Sequence, residues 1–310
     1  MTNWFPAPKR TVQALASATI VVLGLCVKPT FAADPFRTTN PRPIGDNTQA
    51  AFESIFKKGD YKGAKPFLSK AEASEPNEPL VYAMQGALAF NEGEWETLKN
   101  YADKTLQTAQ KLQSSDPLRG NLYTAAGQVL SGAYDIKKPG GSTFGALGKL
   151  QQVLQYVDAA KKVAPNDPEL NLFAGYMDLI LAVNLPFSDP GQAIQKLEKN
   201  AAPPYLVYRG IAVGYRDLKQ YPKAMEFVDR ALALTPDNPE VLHLKAQILR
   251  KQDKNQESLE FFKQAMEKSE QLPKNNKAQI AYEQCRLQKS IDNNNRDCKG
   301  EMEKIRQGSN

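Results

Sequence analysis

The chain has 310 residues, 41% of them hydrophobic, with 40 Lys and Arg against 34 Asp and Glu. Its single histidine has no second His or Cys at metal-ligand spacing, which argues against a zinc centre. Part of the basic excess sits in the first 32 residues, so the overall charge does not argue for nucleic acid.

Lys9-Arg10 precede an apolar run over 11–27, and Thr30-Phe31-Ala32 offers small residues where a signal peptidase reads. Residues 1–32 therefore read as a signal peptide cleaved after Ala32. The run is too short for a comfortable membrane span, and no other stretch of 18 apolar residues follows. No stable membrane insertion is expected after cleavage. Leu25 ahead of Cys26 argues against lipidation. The removed segment holds Lys9, Arg10, Lys28 and no acid, which leaves 37 basic and 34 acidic side chains, a net charge of +3. Residues 33–47, with Pro35, Pro41, Pro43 and Gly45, read as an extended linker.

From residue 48 the pattern is helical, without sustained alternation of the strand type. Proline punctuation recurs at Pro79, Pro117, Pro168, Pro204, Pro239 and Pro273, in steps of 38, 51, 36, 35 and 34 residues. Proline suits the first turn of a helix and the residue just beyond one. In 205–238, small Ala212 and Ala224 fall where two antiparallel helices cross. Tyr208, Ile211, Tyr215 and Val228 fill the space around that contact, and Pro236 stops the second helix. Leu242, Ala246, Leu249, Ser258, Phe262 and Ala265 repeat the register 34 residues on. Earlier hairpins are marked by Gly59-Asp60-Tyr61 with Ala64, Leu68 and Ala71, by Tyr82 and Gly86, by Tyr123 and Gly127, and by Gly175 with Ala193 and Leu197.

These spacings resemble the tetratricopeptide (TPR) pattern of W-x2-L-G-x2-Y, A-x3-F, A and P over 34 residues, with Tyr for Trp, Ala for Gly and Val for Phe in 205–238. The resemblance implies an all-α, right-handed superhelical solenoid of antiparallel helix hairpins. About six repeats span 48–272, because one hairpin cannot bury its own apolar face. Signal peptide, uninterrupted array and short Cys-containing end also resemble, in layout, exported TPR proteins of cyanobacteria. That likeness implies the periplasm or thylakoid lumen.

Two insertions are read, a flexible loop at 136–148 in the 51-residue step and a stiffer one at 184–191, with Pro186 and Pro190, in the 36-residue step. The first only superficially resembles a phosphate-binding loop. Thr143 stands where that motif needs glycine, and Leu150 where it needs a hydroxyl.

Residues 273–310 read as a polar helical cap. Cys285 and Cys298 lie on either side of the turn signal at 292–295, so antiparallel helices joined there are expected to bring them together as a disulfide.

The sequence shows no nucleophile elbow, metalloprotease motif or dinucleotide fingerprint, so neither enzyme nor cofactor is expected. The TPR resemblance implies a concave groove lined by first helices, which takes a protein or peptide. Carried over, the partner-binding positions are Arg209, Val213, Arg216, His243, Gln247, Arg250 and Lys251, preceded by Leu206 and by Leu80, Ala83, Ala87 and Phe90. The groove is then apolar toward its N-terminal half and basic toward its C-terminal half, suiting an acidic partner. The principal expectation is an extracytoplasmic scaffold; rival readings are an envelope or photosystem assembly factor, a lipid-anchored outer-membrane assembly component and an enzyme using surface carboxylates.

Overall fold

The structure, a computed structural model, describes residues 34–138, 140–141, 143–184 and 190–308. The signal-peptide reading and the core of the 184–191 insertion lie outside those residues. The described residues form fourteen α-helices and no strand. In hairpin order they are α1 (Asp46–Phe52) with α2 (Tyr61–Ser74), α3 (Pro79–Glu92) with α4 (Trp95–Leu112), and α5 (Pro117–Lys137) with α6 (Thr143–Val163). There follow α7 (Pro168–Asn184) with α8 (Pro190–Asn200), α9 (Pro204–Asp217) with α10 (Tyr221–Leu234), α11 (Pro239–Lys251) with α12 (Asn255–Glu267), and α13 (Lys274–Asp292) with α14 (Cys298–Gln307). A π-helical turn, Glu53–Lys57, continues α1. Six hairpins precede the terminal one.

Local chemistry sets these boundaries. Five first helices, α3, α5, α7, α9 and α11, open on the last proline of each punctuation, where the missing N–H costs nothing. Glu78, Asp116 and Asn238 accept hydrogen bonds from the exposed N–H groups of Leu80, Arg119 and Glu240. Within hairpins, Gly59, Gly93, Lys219 and Asp253 hold equivalent turn positions, all at positive φ. At the crossings, Ala212 and Ala224 are fully buried. A Cβ on Gly175 would lie 2.4 Å from side-chain carbons of Leu197, so the backbones meet there more closely than any larger residue permits.

Two expectations are corrected. The region 136–148 is mostly helical: α5 runs to Lys137 and α6 begins at Thr143. The extra residues lengthen the two helices, and Lys149 of α6 pairs with Asp135 of α5 at 3.2 Å. Residues 34–45 carry no helix, yet they are not free chain. Phe36 and Ile44 are buried, and Phe36 meets the Phe52 ring edge-on with centroids 5.0 Å apart. This strap crosses the N-terminal ends of α5 and α7. Arg37 bonds Asp167 and Glu169, and Arg42 bonds Asp116.

The array also closes on itself. The Asn238 amide donates to the carbonyls of Phe56 and Lys57 at 3.3 and 3.2 Å, capping the π-helical turn of the first hairpin. Gln271 donates to the Lys58 carbonyl at 2.8 Å, and Asn275 of α13 to that of Asn91 at 2.9 Å. The last hairpin therefore bridges back to the second rather than only capping the end.

Candidate functional site

Closure turns the concave side of the first helices into an interior. Its N-terminal part is a cavity of about 480 Å³ walled by α1, α3, α5, α7 and α9. Aromatic and aliphatic side chains dominate the wall, among them Phe52, Met84, Leu122, Phe173, Met177 and Leu206. The strap closes it at the N-terminal ends of the helices, where Phe36 enters the lining. Exposure rises toward the opposite end. Leu80, Leu122 and Leu206 are buried, whereas Ala87, Leu130, Met177 and Val213 further along the same helices are half-buried. The cavity is a socket that is more exposed at the end away from the strap.

Buried charge holds the floor. Arg119 sits between Glu78, at 2.6 Å, and Glu169, at 3.4 Å, and Tyr123 donates to Glu169 at 2.6 Å. Burial alone would raise the Glu169 carboxyl, but Arg119 and Arg37 hold it below the ordinary carboxylate range. The network ties α3, α5, α7 and the strap together, although the buried Arg119 Nε–H has no hydrogen-bond partner.

Arg209 and Val213 line both the socket and a second concavity of about 470 Å³. That one shares Arg216 and Gln247 with a third, of about 730 Å³, lined also by Arg250, Lys251, Tyr282 and Arg286. All seven predicted groove residues therefore border one continuous concave surface, which is apolar toward the N-terminus and polar toward the C-terminus. Leu80, Ala83, Ala87 and Leu206 line the socket as expected. Phe90 instead packs against Trp95, with ring centroids 6.1 Å apart.

The charges on this surface are not equally available. Arg209 pairs with Glu240 at 3.0 Å. Burial opposes its charge, but Glu240 and the neighbouring Tyr61 and Tyr176 hold the guanidinium pKa above its usual value. Arg216 pairs with Asp217 at 2.8 Å and donates to Gln247. His243 and Gln247 each lie 2.9 Å from Glu283, and Gln279 donates to that carboxylate at 2.6 Å. Burial works against the Glu283 anion, yet these bonds bring it down to about 2. Among the described residues Arg250, Lys251 and Arg286 make no ion pair. Arg286 escaped the sequence reading because it lies outside the repeat register, on α13. The helical periodicity of 278–289 was the only signal that could have found it.

Cys285 and Cys298 are joined, with Cα atoms 5.6 Å apart, and link α13 to α14. Among the described residues, no group of three or more His, Cys, Asp or Glu is placed to hold a metal ion, and no helix is long and apolar enough to cross a membrane.

Residues 239–272, the α11–α12 hairpin, match the tetratricopeptide repeat family model. No curated protein matches the chain. Two solved structures of the human IFIT1 dimer are similar. The one with m7Gppp-AAAA shares 16% identity over 94% of this chain and 63% of that one, at a TM-score of 0.48. The one with PPP-AAAA shares 17% over 83% and 58%, at 0.47. The chain spans less than two thirds of their length. Residues 239–272 are thus a tetratricopeptide repeat by sequence, and the five preceding hairpins share its paired-helix architecture.

Proposed function

We propose that this tetratricopeptide repeat chain is an extracytoplasmic scaffold that binds an acidic segment of a protein partner at the C-terminal end of its concave surface. One observation carries the reading. Arg250, Lys251 and Arg286 surround a concavity of about 730 Å³ without an ion-pair partner of their own. Unneutralised charge in a concavity concentrates field and raises the encounter rate of an opposite charge. Arg209 and Arg216, already paired, position the surface rather than supply its charge. The proposed location rests on the N-terminal sequence, and intact-mass measurement of exported protein should show loss of residues 1–32. Retention of that segment, or a lipid on Cys26, would remove the soluble extracytoplasmic assignment.

The test is affinity capture from the native compartment with the mature protein, followed by joint reversal of Arg250 and Arg286 to Glu. Capture should fall and should weaken with salt, helix content being unchanged. Reversal of Lys223 and Lys263, which are exposed on second helices, should leave capture intact. Loss with the second pair alone would place the partner on the convex face.

A further inference from the structure

The apolar socket is a feature that an acidic-segment binder does not need. We propose that it binds a single-chain amphiphile, with the aliphatic tail in the socket and an anionic head at its exposed end. This ligand is distinct from the protein partner: its tail takes a part of the concave surface that the partner does not use, while its head faces the same free cations.

Shape is the first argument. Five helices wall the socket, and Phe36 of the strap enters its lining at the end where Leu80, Leu122 and Leu206 are buried, a shape that suits a ligand with one apolar end. Its volume of about 480 Å³ falls inside the range of about 300–1,000 Å³ usual for small-ligand sites, and it is more than one anchoring side chain fills. The second argument is that the lining is apolar yet uncovered: Leu130, Phe173, Met177 and Val213 stay half-buried among the described residues. Apolar surface of that kind gains by removal from water.

Charge settles which head group fits. The socket meets the polar surface at Arg209 and Val213, which line both. Of the basic side chains lining the two concavities beyond, Arg209, Arg216 and Arg306 are paired with Glu240, Asp217 and Glu303, which leaves Arg250, Lys251 and Arg286 as the charge that faces a head group. A carboxylate or phosphate head is attracted there and a quaternary ammonium is repelled. The acidic groups within the socket, notably Glu169, are already paired at its floor.

The test is fluorescence titration of the mature protein with cis-parinaric acid, with competition by saturated fatty acids of increasing length. Saturable binding of one probe per chain is expected. Competitor affinity should rise about fourfold per added methylene until the socket is full, and then level off. Ala87→Trp and Val213→Trp, at half-buried positions toward the exposed end, should each weaken binding about tenfold or more while circular dichroism stays unchanged. An alkyltrimethylammonium with the same tail should compete about tenfold less well. No saturable binding, no chain-length plateau, equal competition by the cation, or full binding in both folded Trp variants would each overturn the proposal. So would Trp variants that abolish capture of the protein partner when parinarate never bound, since the socket is then the partner's anchor pocket. The Arg250 and Arg286 reversal should weaken the head-group contact as well as capture, so it is parinarate binding by the unaltered protein, which needs no protein partner, that reports on the socket separately from the scaffold reading. Should a Trp variant not fold, the chain-length and head-group competitions on the unaltered protein decide alone.

Discussion

Tyr61 and Glu240 are 179 positions apart, yet the Tyr61 hydroxyl lies 3.1 Å from both carboxylate oxygens of Glu240. The same carboxylate accepts from Arg209 at 3.0 Å and from Asn276 at 3.2 Å. One side chain thus joins α2, α9, α11 and α13, the elements on which closure of the array depends. Glu240→Ala should leave the Arg209 charge buried without its partner and destabilise the protein by roughly 3 kcal/mol. Hydrogen exchange should quicken together around residues 54–62 and 238–244. Glu240→Gln, which keeps the hydrogen-bonding shape, should lose less. Equal protection at both segments in Glu240→Ala would mean that the seam is held by Asn238 and Gln271 instead.

The helix crossing offers a local test. Ala212 and Ala224 are fully buried where α9 meets α10, and overpacking a close crossing forces the backbones apart. Ala212→Leu and Ala224→Leu should each cost about 1–3 kcal/mol in thermal melts. Gly175→Ala should join them, because the buried Leu197 has no room to yield. Neutral melts for all three would refute the close packing of these hairpins.

How much of this was legible depends on how local the signal is. Ala212, Ala224 and Pro236 announce a hairpin because their spacing reflects contacts within 34 residues. Closure leaves no such trace. Tyr61, Glu240, Asn238 and the Phe56 carbonyl are ordinary surface types at ordinary positions, and only the accumulated rotation of several hairpins brings them together. The strap was hidden for a related reason. Its prolines read as spacer, while its binding to the array rests on Phe36, Arg37 and Arg42, whose partners lie on other helices. Arg209 and Arg216 lie on the concave surface, but the repeat register gave no sign of the Glu240 and Asp217 that neutralise them.

The strap should therefore behave as part of the fold. Phe36→Ala removes a buried ring from its contact with Phe52, a change that costs about 3–5 kcal/mol in a well-packed core. Because this segment carries no helix of its own, limited proteolysis should cut within 34–45 far sooner in the variant, before global unfolding. Unchanged cleavage would show that Arg37 and Arg42 hold the strap without the ring.

At the other end, the disulfide is the principal anchor of α14. Cys298 is the only side chain that α14 buries among its described residues. In the loop-entropy model a bridge of this span contributes about 3 kcal/mol. Reduction should speed hydrogen exchange across 298–307 while the main melting transition of the array shifts little. Persistent protection of α14 after complete reduction would show that its packing on α13 suffices.

Acid should act on two carboxylates set apart by burial and by their partners. Glu283 is brought down to about 2 from an ordinary 4.5, and Glu169 is also lowered. A carboxylate with a depressed folded-state value binds protons more readily when unfolded, so its contribution to stability is fully present above about 4.5 and disappears as pH falls toward 2. Urea midpoints should stay level from neutrality to about pH 5 and then decline. In Glu283→Gln the neutral-pH midpoint should be lower and the acid decline shallower, since one of the titrating groups is gone. A variant that keeps the full acid slope would show that Glu169 and its arginines, at the strap, control the response rather than the His243–Glu283 contact.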